Sequence, residues 1–212
     1  RSDDPMLKLA YTNDIDIHSL TASQVFEIPL EEVTSLLRSR AKEVNFGIVY
    51  GMSDFGLSEN LKIPRKVAKQ YIENYFIKYP NVKGFMEDVK KSASETGYSE
   101  TLLGRKRFIP EIKNKNFNIR QYGERMAMNT PIQGTAADVV KVAMIKVFDA
   151  LETAGLKSRL ILQVHDELIV DTCHDEIESV KALVAEAMES AMDLSVPLKI
   201  DMHVGNSWFE AK

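Results

Sequence analysis

Apolar residues recur at spacings of three and four over residues 19–26, 30–50 and 64–79. That is the period of one face of an α-helix. Pro64 suits the first turn of the third segment, where a missing N–H has no helical partner to lose. A further helix is predicted from Pro80 to Thr96, stopped by Gly97. Tyr98–Leu103 and Arg107–Ile112 flank Gly104, Arg105 and Lys106 and read as a hairpin. The helical period returns over 117–154 but is broken at Pro131, with Thr130 placed to cap a new helix. The pattern then changes. Leu160–Val164 and Leu168–Val170 are apolar runs of strand type, separated by His165, Asp166 and Glu167, so a hairpin with three polar residues at its apex is expected. A helix over about 174–193 and an alternating strand over Leu198–Val204 complete the chain. Helices first, then antiparallel strands with helices packed on them, is an α+β layout: a helical subdomain plus part of an antiparallel sheet. No internal repeat, low-complexity tract or linker-like boundary interrupts it.

Composition narrows this only a little. With 212 residues, 44% hydrophobic and 27% charged, the chain can bury a sizeable core as one domain or two packed lobes. The single cysteine, Cys173, excludes an internal disulfide and fits a reducing, cytoplasmic setting. No apolar run is long enough to span a bilayer, so no membrane partner is expected. Charge distribution says more than the net value of −4. Residues 38–146 hold 20 Lys and Arg against 11 Asp and Glu, while 1–37 hold 2 against 7 and 147–212 hold 5 against 13. A basic middle between acidic ends suits a phosphate-tracking surface beside a carboxylate site. Chance clustering on solvated helices gives the same counts.

Three groups of residues carry candidate chemistry. Arg38, Lys42, Phe46 and Tyr50 are spaced by four, which on a helix confines them to a stripe roughly 120° wide. Two cations one turn apart repel each other and call for a multiply charged anion; the aromatics beyond could stack on a base. Gly47 and Gly51 weaken such a helix by up to about 1 kcal/mol each relative to alanine. A basic helix end running into a buried aromatic end fits the same spacing. At the hairpin apex, Asp166 and Glu167 project to opposite faces unless the turn bends them together, so one carboxylate could hold Mg²⁺ with help from substrate phosphates. A merely solubilising turn is the simpler alternative. Arg125, Asn129 and Gln133 repeat the spacing of four across Pro131 and would offer donors and acceptors to minor-groove edges, or only surface polarity.

Taken together, these residues resemble a known family. RSRAKEVNFGIVYG (38–51) closely resembles the fingers-helix signature of the family A DNA polymerases. MNTPIQGTAAD (128–138) and QVHDEL (163–168) resemble two further signatures of that family, in order, and DIDIH (14–18) and GNSWF (205–209) also look familiar. The resemblance spans essentially the whole chain. It implies a DNA-directed DNA polymerase using two Mg²⁺ ions, with primer–template DNA and deoxynucleoside triphosphates as partners. By the same resemblance Arg38, Lys42 and His18 would hold the triphosphate, Phe46 would pack on the incoming sugar and base, and Tyr50 would sit near the templating base. Arg125, Asn129 and Gln133 would contact the minor groove, His165 the primer end, and Asp166 the metal, with Glu167 as an acidic neighbour. Residues 1–116 would be mainly fingers and 117–212 part of the palm.

Two departures stand out. Ser39 occupies the place of the family's second arginine, and Arg40 lies about 200° round a helix from Arg38. The family's other metal-binding aspartate and its sugar-selecting glutamate are expected upstream of Arg1. The chain therefore reads as part of a longer polymerase, with no useful activity by itself. A non-catalytic nucleotide- or DNA-binding module and a single-subunit RNA polymerase are the rival readings.

Overall fold

The computed structural model describes residues 1–211, which form two compact units, Arg1–Thr135 and Ala136 onward. The first unit is a helical array. It contains α1 (Pro5–Thr12), α2 (Ile17–Phe26), α3 (Ser35–Val49), α4 (Asp54–Leu61), α5 (Arg65–Lys78), α6 (Pro80–Thr96) and α7 (Phe117–Asn129). A two-stranded ribbon, β1 (Tyr98–Glu100) with β2 (Lys106–Phe108), lies between α6 and α7. The core is built from α2–α6 and includes Val25, Val44, Ile48, Leu57, Tyr75 and Tyr79. A smaller cluster of Ala93, Ile109, Ile112 and Ala127 ties α6 and α7 to the ribbon. The second unit holds α8 (Thr135–Thr153) from Ala136 onward, the hairpin β3 (Arg159–Val164) and β4 (Glu167–Asp171), and α9 (Ile177–Glu189). Val147, Leu151, Val180, Val184 and Ala187 make its core, joined by Leu160, Leu168 and Val170 from the hairpin. The α+β class stands. No helix among the described residues is long and apolar enough to cross a membrane.

The expected helix over 30–50 is divided. Leu30–Glu32 forms a 3₁₀ turn, and α3 starts only after Thr34, whose Oγ1 accepts the Leu37 N–H at 3.3 Å. This hydroxyl satisfies a first-turn donor that has no helical acceptor, and so sets the start of the helix. Ala41, Val44 and Ile48 then form the buried face of α3, leaving Arg38, Lys42 and Phe46 exposed on it. Two helices lie outside the sequence expectation. Asp4 caps α1 through the N–H groups of Met6 and Leu7, and Ser53 caps α4 through that of Gly56. Both helices are eight residues long, too short for periodicity to reveal but legible from their caps.

Pro131 does not start a new helix under a Thr130 cap. Thr130 is itself helical, and Thr130–Gly134 is one widened π turn between α7 and α8. Lacking an N–H, Pro131 cannot bond the carbonyl of Ala127 four residues back. The buried Ser99 hydroxyl donates to that carbonyl at 2.9 Å instead. The Thr130 hydroxyl donates back to Met126 O at 2.7 Å, and Arg105 Nη2 donates to Gly134 O at 2.8 Å. Ser99 of β1 thus replaces the one donor that the proline lacks, and Arg105 braces the far end of the π turn. Ser99→Ala is expected to lower unfolding stability by about 1–2 kcal/mol, because it leaves a buried carbonyl unpaired. Urea denaturation measures it, and an unchanged midpoint would contradict this account.

Two further expectations are corrected. The ribbon strands are only three residues each, because Pro110–Lys113 coils into a 3₁₀ turn rather than continuing β2. Residues 198–204 form no strand. Their alternation matches a pleat, but a strand is held by a neighbour's ladder, and no strand among the described residues pairs with this segment. The last predicted helix is shorter than expected, with His174–Glu176 in a 3₁₀ turn before α9.

Candidate functional site

The exposed edge of α3 carries a continuous line of contacts. Arg38 donates from Nε and Nη2 to the two carboxylate oxygens of Asp16, at 3.0 and 2.7 Å. Asp16 is also the cap of α2, accepting the Ser19 N–H at 2.7 Å. The Arg38 hydrogen bond, with help from Ser19, holds the Asp16 carboxyl well below the usual carboxylate range despite some desolvation. Lys42 Nζ lies 5.9 Å from the centroid of the Phe46 ring. Phe46 stacks on Tyr50, with centroids 6.0 Å apart and planes within 13°. His18, on α2, has its ring centroid 6.0 Å from that of Phe46, with the planes tilted by 41°. All five residues predicted to meet a nucleotide are therefore neighbours on one edge formed by α2 and α3.

Tyr50 follows the last residue of α3, yet its N–H still bonds Phe46 O at 2.9 Å, so the row runs unbroken to the helix end. Gly51 then turns with φ +67°, a conformation that favours glycine. A Cβ there would stand 2.3 Å from Met128 Cε and 3.1 Å from Arg125 Cγ. The stem of Arg125 thus packs where α3 ends. A cavity of about 240 Å³ opens beside it, lined in part by Ile48, Gly51, Phe76, Arg125 and Met128.

Arg125 and Asn129 lie one turn apart on α7, but Gln133 falls in the π turn, so the three do not share a regular α-helical face. The Asn129 Oδ1 atom is buried with no hydrogen-bond partner among the described residues. An acceptor withdrawn from water in this way is costly unless a donor reaches it. Gln133 is exposed.

In the second unit the hairpin apex is tighter than expected. Val164 pairs directly with Glu167, leaving only His165 and Asp166 in the turn, with His165 at φ +53°. Gln163 Nε2 donates to the His165 carbonyl and braces the turn. Glu167 belongs to β4, and its Oε2 accepts from Trp208 Nε1 at 3.2 Å. Asp166 stands at the tip, exposed, and no described residue bonds its side chain. His165 and Gln163 face Lys141 and Met144 of α8 across a cavity of about 170 Å³. No cluster of three potential metal ligands occurs among the described residues. The residues present fit a divalent cation held by Asp166 together with substrate oxygens, not one held by a protein cage.

Asp16 was missed by sequence reasoning, although it stands two residues from His18 and in the helix-cap position. Its partner Arg38 is 22 residues away, a separation no local pattern bridges.

The family model described as DNA polymerase family A matches residues 1–210. DNA polymerase I of Bacillus subtilis (strain 168) is 53% identical over 211 residues, and that of Bacillus caldotenax 50% identical over 211; each match covers 100% of this chain and 24% of the relative. The chain thus spans about a quarter of the length of the curated relatives it matches. The POL domain of Pol1 from M. smegmatis, solved in complex with DNA primer-template and dNTP, superposes with a TM-score of 0.95 at 43% identity, covering 99% of this chain and 37% of that one.

Proposed function

This chain belongs to DNA polymerase family A, and on that premise we propose that it supplies the fingers and part of the palm of a DNA-directed DNA polymerase. The protein would add deoxynucleotides to a primer 3′ end in the order that a template dictates. One observation carries the reading: His18, Arg38, Lys42, Phe46 and Tyr50 are gathered on a single exposed edge, with cations at one end and stacked aromatics at the other. A nucleoside triphosphate has the same polarity, a multiply charged tail and a flat base.

Residues 1–116 are read as mainly fingers and 117–212 as palm. Arg38 and Lys42 bind the triphosphate and orient it. Phe46 packs on the incoming sugar and base, and Tyr50 lies toward the templating base. Arg125, Asn129 and Gln133 take the minor groove of primer–template DNA, where donors and acceptors are nearly independent of sequence. His165 lies toward the primer end. Asp166 holds a divalent ion, with Glu167 beside it oriented by Trp208. Two Mg²⁺ ions bound with the help of Asp166 would supply charge stabilisation for phosphoryl transfer. The protein's own part is to place the nucleotide and balance its charge.

The direct test uses the full-length protein with a labelled primer annealed to a defined template. Each single deoxynucleotide should be added only when it complements the next template base. Absence of addition, or addition indifferent to the template, would overturn the reading.

A further inference from the structure

His18 is joined to the interior by a chain of polar atoms. Its Nδ1 lies 3.0 Å from Asn45 Nδ2, on the flank of α3 beside Phe46. The other end of the same amide, Oδ1, takes the hydroxyl of Thr21 at 3.2 Å, and Thr21 Oγ1 lies 3.4 Å from the Tyr79 hydroxyl. Thr21 and Tyr79 are both fully buried, so water does not compete for the contact between them, while Asn45 and His18 are half-buried. An amide nitrogen has two donors and no acceptor. His18 Nδ1 must therefore accept, which leaves it without a proton, and a neutral ring then carries its proton on Nε2. The Thr21 hydroxyl donates to Asn45 Oδ1, which turns the amide nitrogen toward His18; with its one proton so used, Thr21 is left to accept from the Tyr79 hydroxyl.

We propose that Asn45 is a positioning residue: braced by Thr21 and Tyr79, it fixes His18 as the neutral Nε2–H tautomer, so that the ring offers a hydrogen-bond donor rather than a positive charge to a phosphate oxygen of the incoming nucleotide. This rests on reading the α2–α3 edge as a triphosphate site. The charged groups around His18 agree with it. Burial lowers the imidazole pKa, and Arg38 and Lys42 lower it further, against the opposing pull of Asp16. A third cation would repel the two already present, whereas a neutral donor reads the phosphate without that repulsion. Asn45 lies 27 residues from His18 in the chain, so spacing alone cannot reveal it.

The test is nitrogen NMR on the full-length protein labelled with ¹⁵N-histidine, the His18 signals being identified by their loss in His18→Gln. At neutral pH, His18 Nδ1 should give a bare, pyridine-type signal and Nε2 a protonated one. Asn45→Asp keeps the shape but turns the donor into an acceptor, so it should move the proton to Nδ1 and raise the His18 pKa. Thr21→Val removes only the hydroxyl and should give a mixture of tautomers, which keeps the idea testable if the Asp variant folds poorly. Asn45→Ala should weaken deoxynucleotide binding roughly tenfold while leaving the rate at saturation nearly unchanged. Parent affinity should be flat between about pH 7 and 9, since a ring with a depressed pKa is neutral throughout that range. An Nδ1–H or doubly protonated His18 in the parent, or a tautomer indifferent to both substitutions, overturns the proposal. If instead variants of Arg38, Lys42 and His18 all bind nucleotide normally, the triphosphate reading itself falls, whatever the NMR shows.

Discussion

Asp166→Asn in the full-length protein should slow nucleotide addition by about a thousandfold or more, while primer–template affinity stays within about twofold of the parent. The size follows from what the carboxylate does in the proposed site. A metal-stabilised phosphoryl transfer draws several kcal/mol from charge neutralisation at the reacting oxygens, and each 1.36 kcal/mol is a factor of ten in rate. An amide keeps the shape but loses the charge, so it is a far poorer ligand for a hard cation. Folding should not suffer. Asp166 is exposed at the tip of the hairpin, no described residue bonds it, and the turn is held instead by the Val164–Glu167 pair and the Gln163 side chain. Single-turnover measurement of the chemical step, alongside equilibrium DNA binding, separates the two effects. An unchanged rate would remove Asp166 from the chemistry. A rate loss matched by an equal loss of DNA affinity would make it a binding residue.

What the sequence discloses follows the range over which each interaction acts. The α3 edge could be read because Arg38, Lys42, Phe46 and Tyr50 are related by the helical period alone, and the hairpin because its apolar runs and polar apex are contiguous. Cap-defined helices such as α1 and α4 were within reach through Asp4 and Ser53, but they are too short to show a period. The remaining features depend on partners remote in sequence. Asp16 with Arg38, Asn45 with His18, and Ser99 with the carbonyl that Pro131 leaves bare are separated by 22, 27 and 28 residues respectively. Proline announces a break in a helix; it does not say that a serine from a neighbouring ribbon will repair it and permit a π turn. The segment 198–204 shows the converse error, in which a pleat-like alternation is present and no ladder partner follows it. Local pattern therefore locates the candidate site, while its electrostatic balance and its tautomers belong to the fold.

The second large effect is expected at Lys42. Arg38 is already matched by Asp16, but among the described residues Lys42 has no carboxylate partner; its ammonium lies 5.9 Å from the centroid of the Phe46 ring and close enough to His18 to act on its charge. It is the cation most available to a triphosphate. At an effective dielectric of about 20, typical near a protein surface, one charge pair at 4 Å is worth about 4 kcal/mol, and exposure to solvent and salt reduces that. Lys42→Ala should therefore raise the deoxynucleotide Kd by about a hundredfold, equivalent to about 2.7 kcal/mol. Alanine is the best helix former, so α3 itself should persist. Fitting the addition rate against nucleotide concentration gives the Kd, and repeating it in high salt should shrink the difference as screening weakens the parent's advantage. Lys42→Met then isolates the cause. Methionine keeps an apolar stem that can still pack on Phe46 but carries no charge, so an electrostatic role makes it as poor as alanine. If methionine restores affinity, Lys42 acts by supporting the aromatic row, and the phosphate tail must be held by other groups.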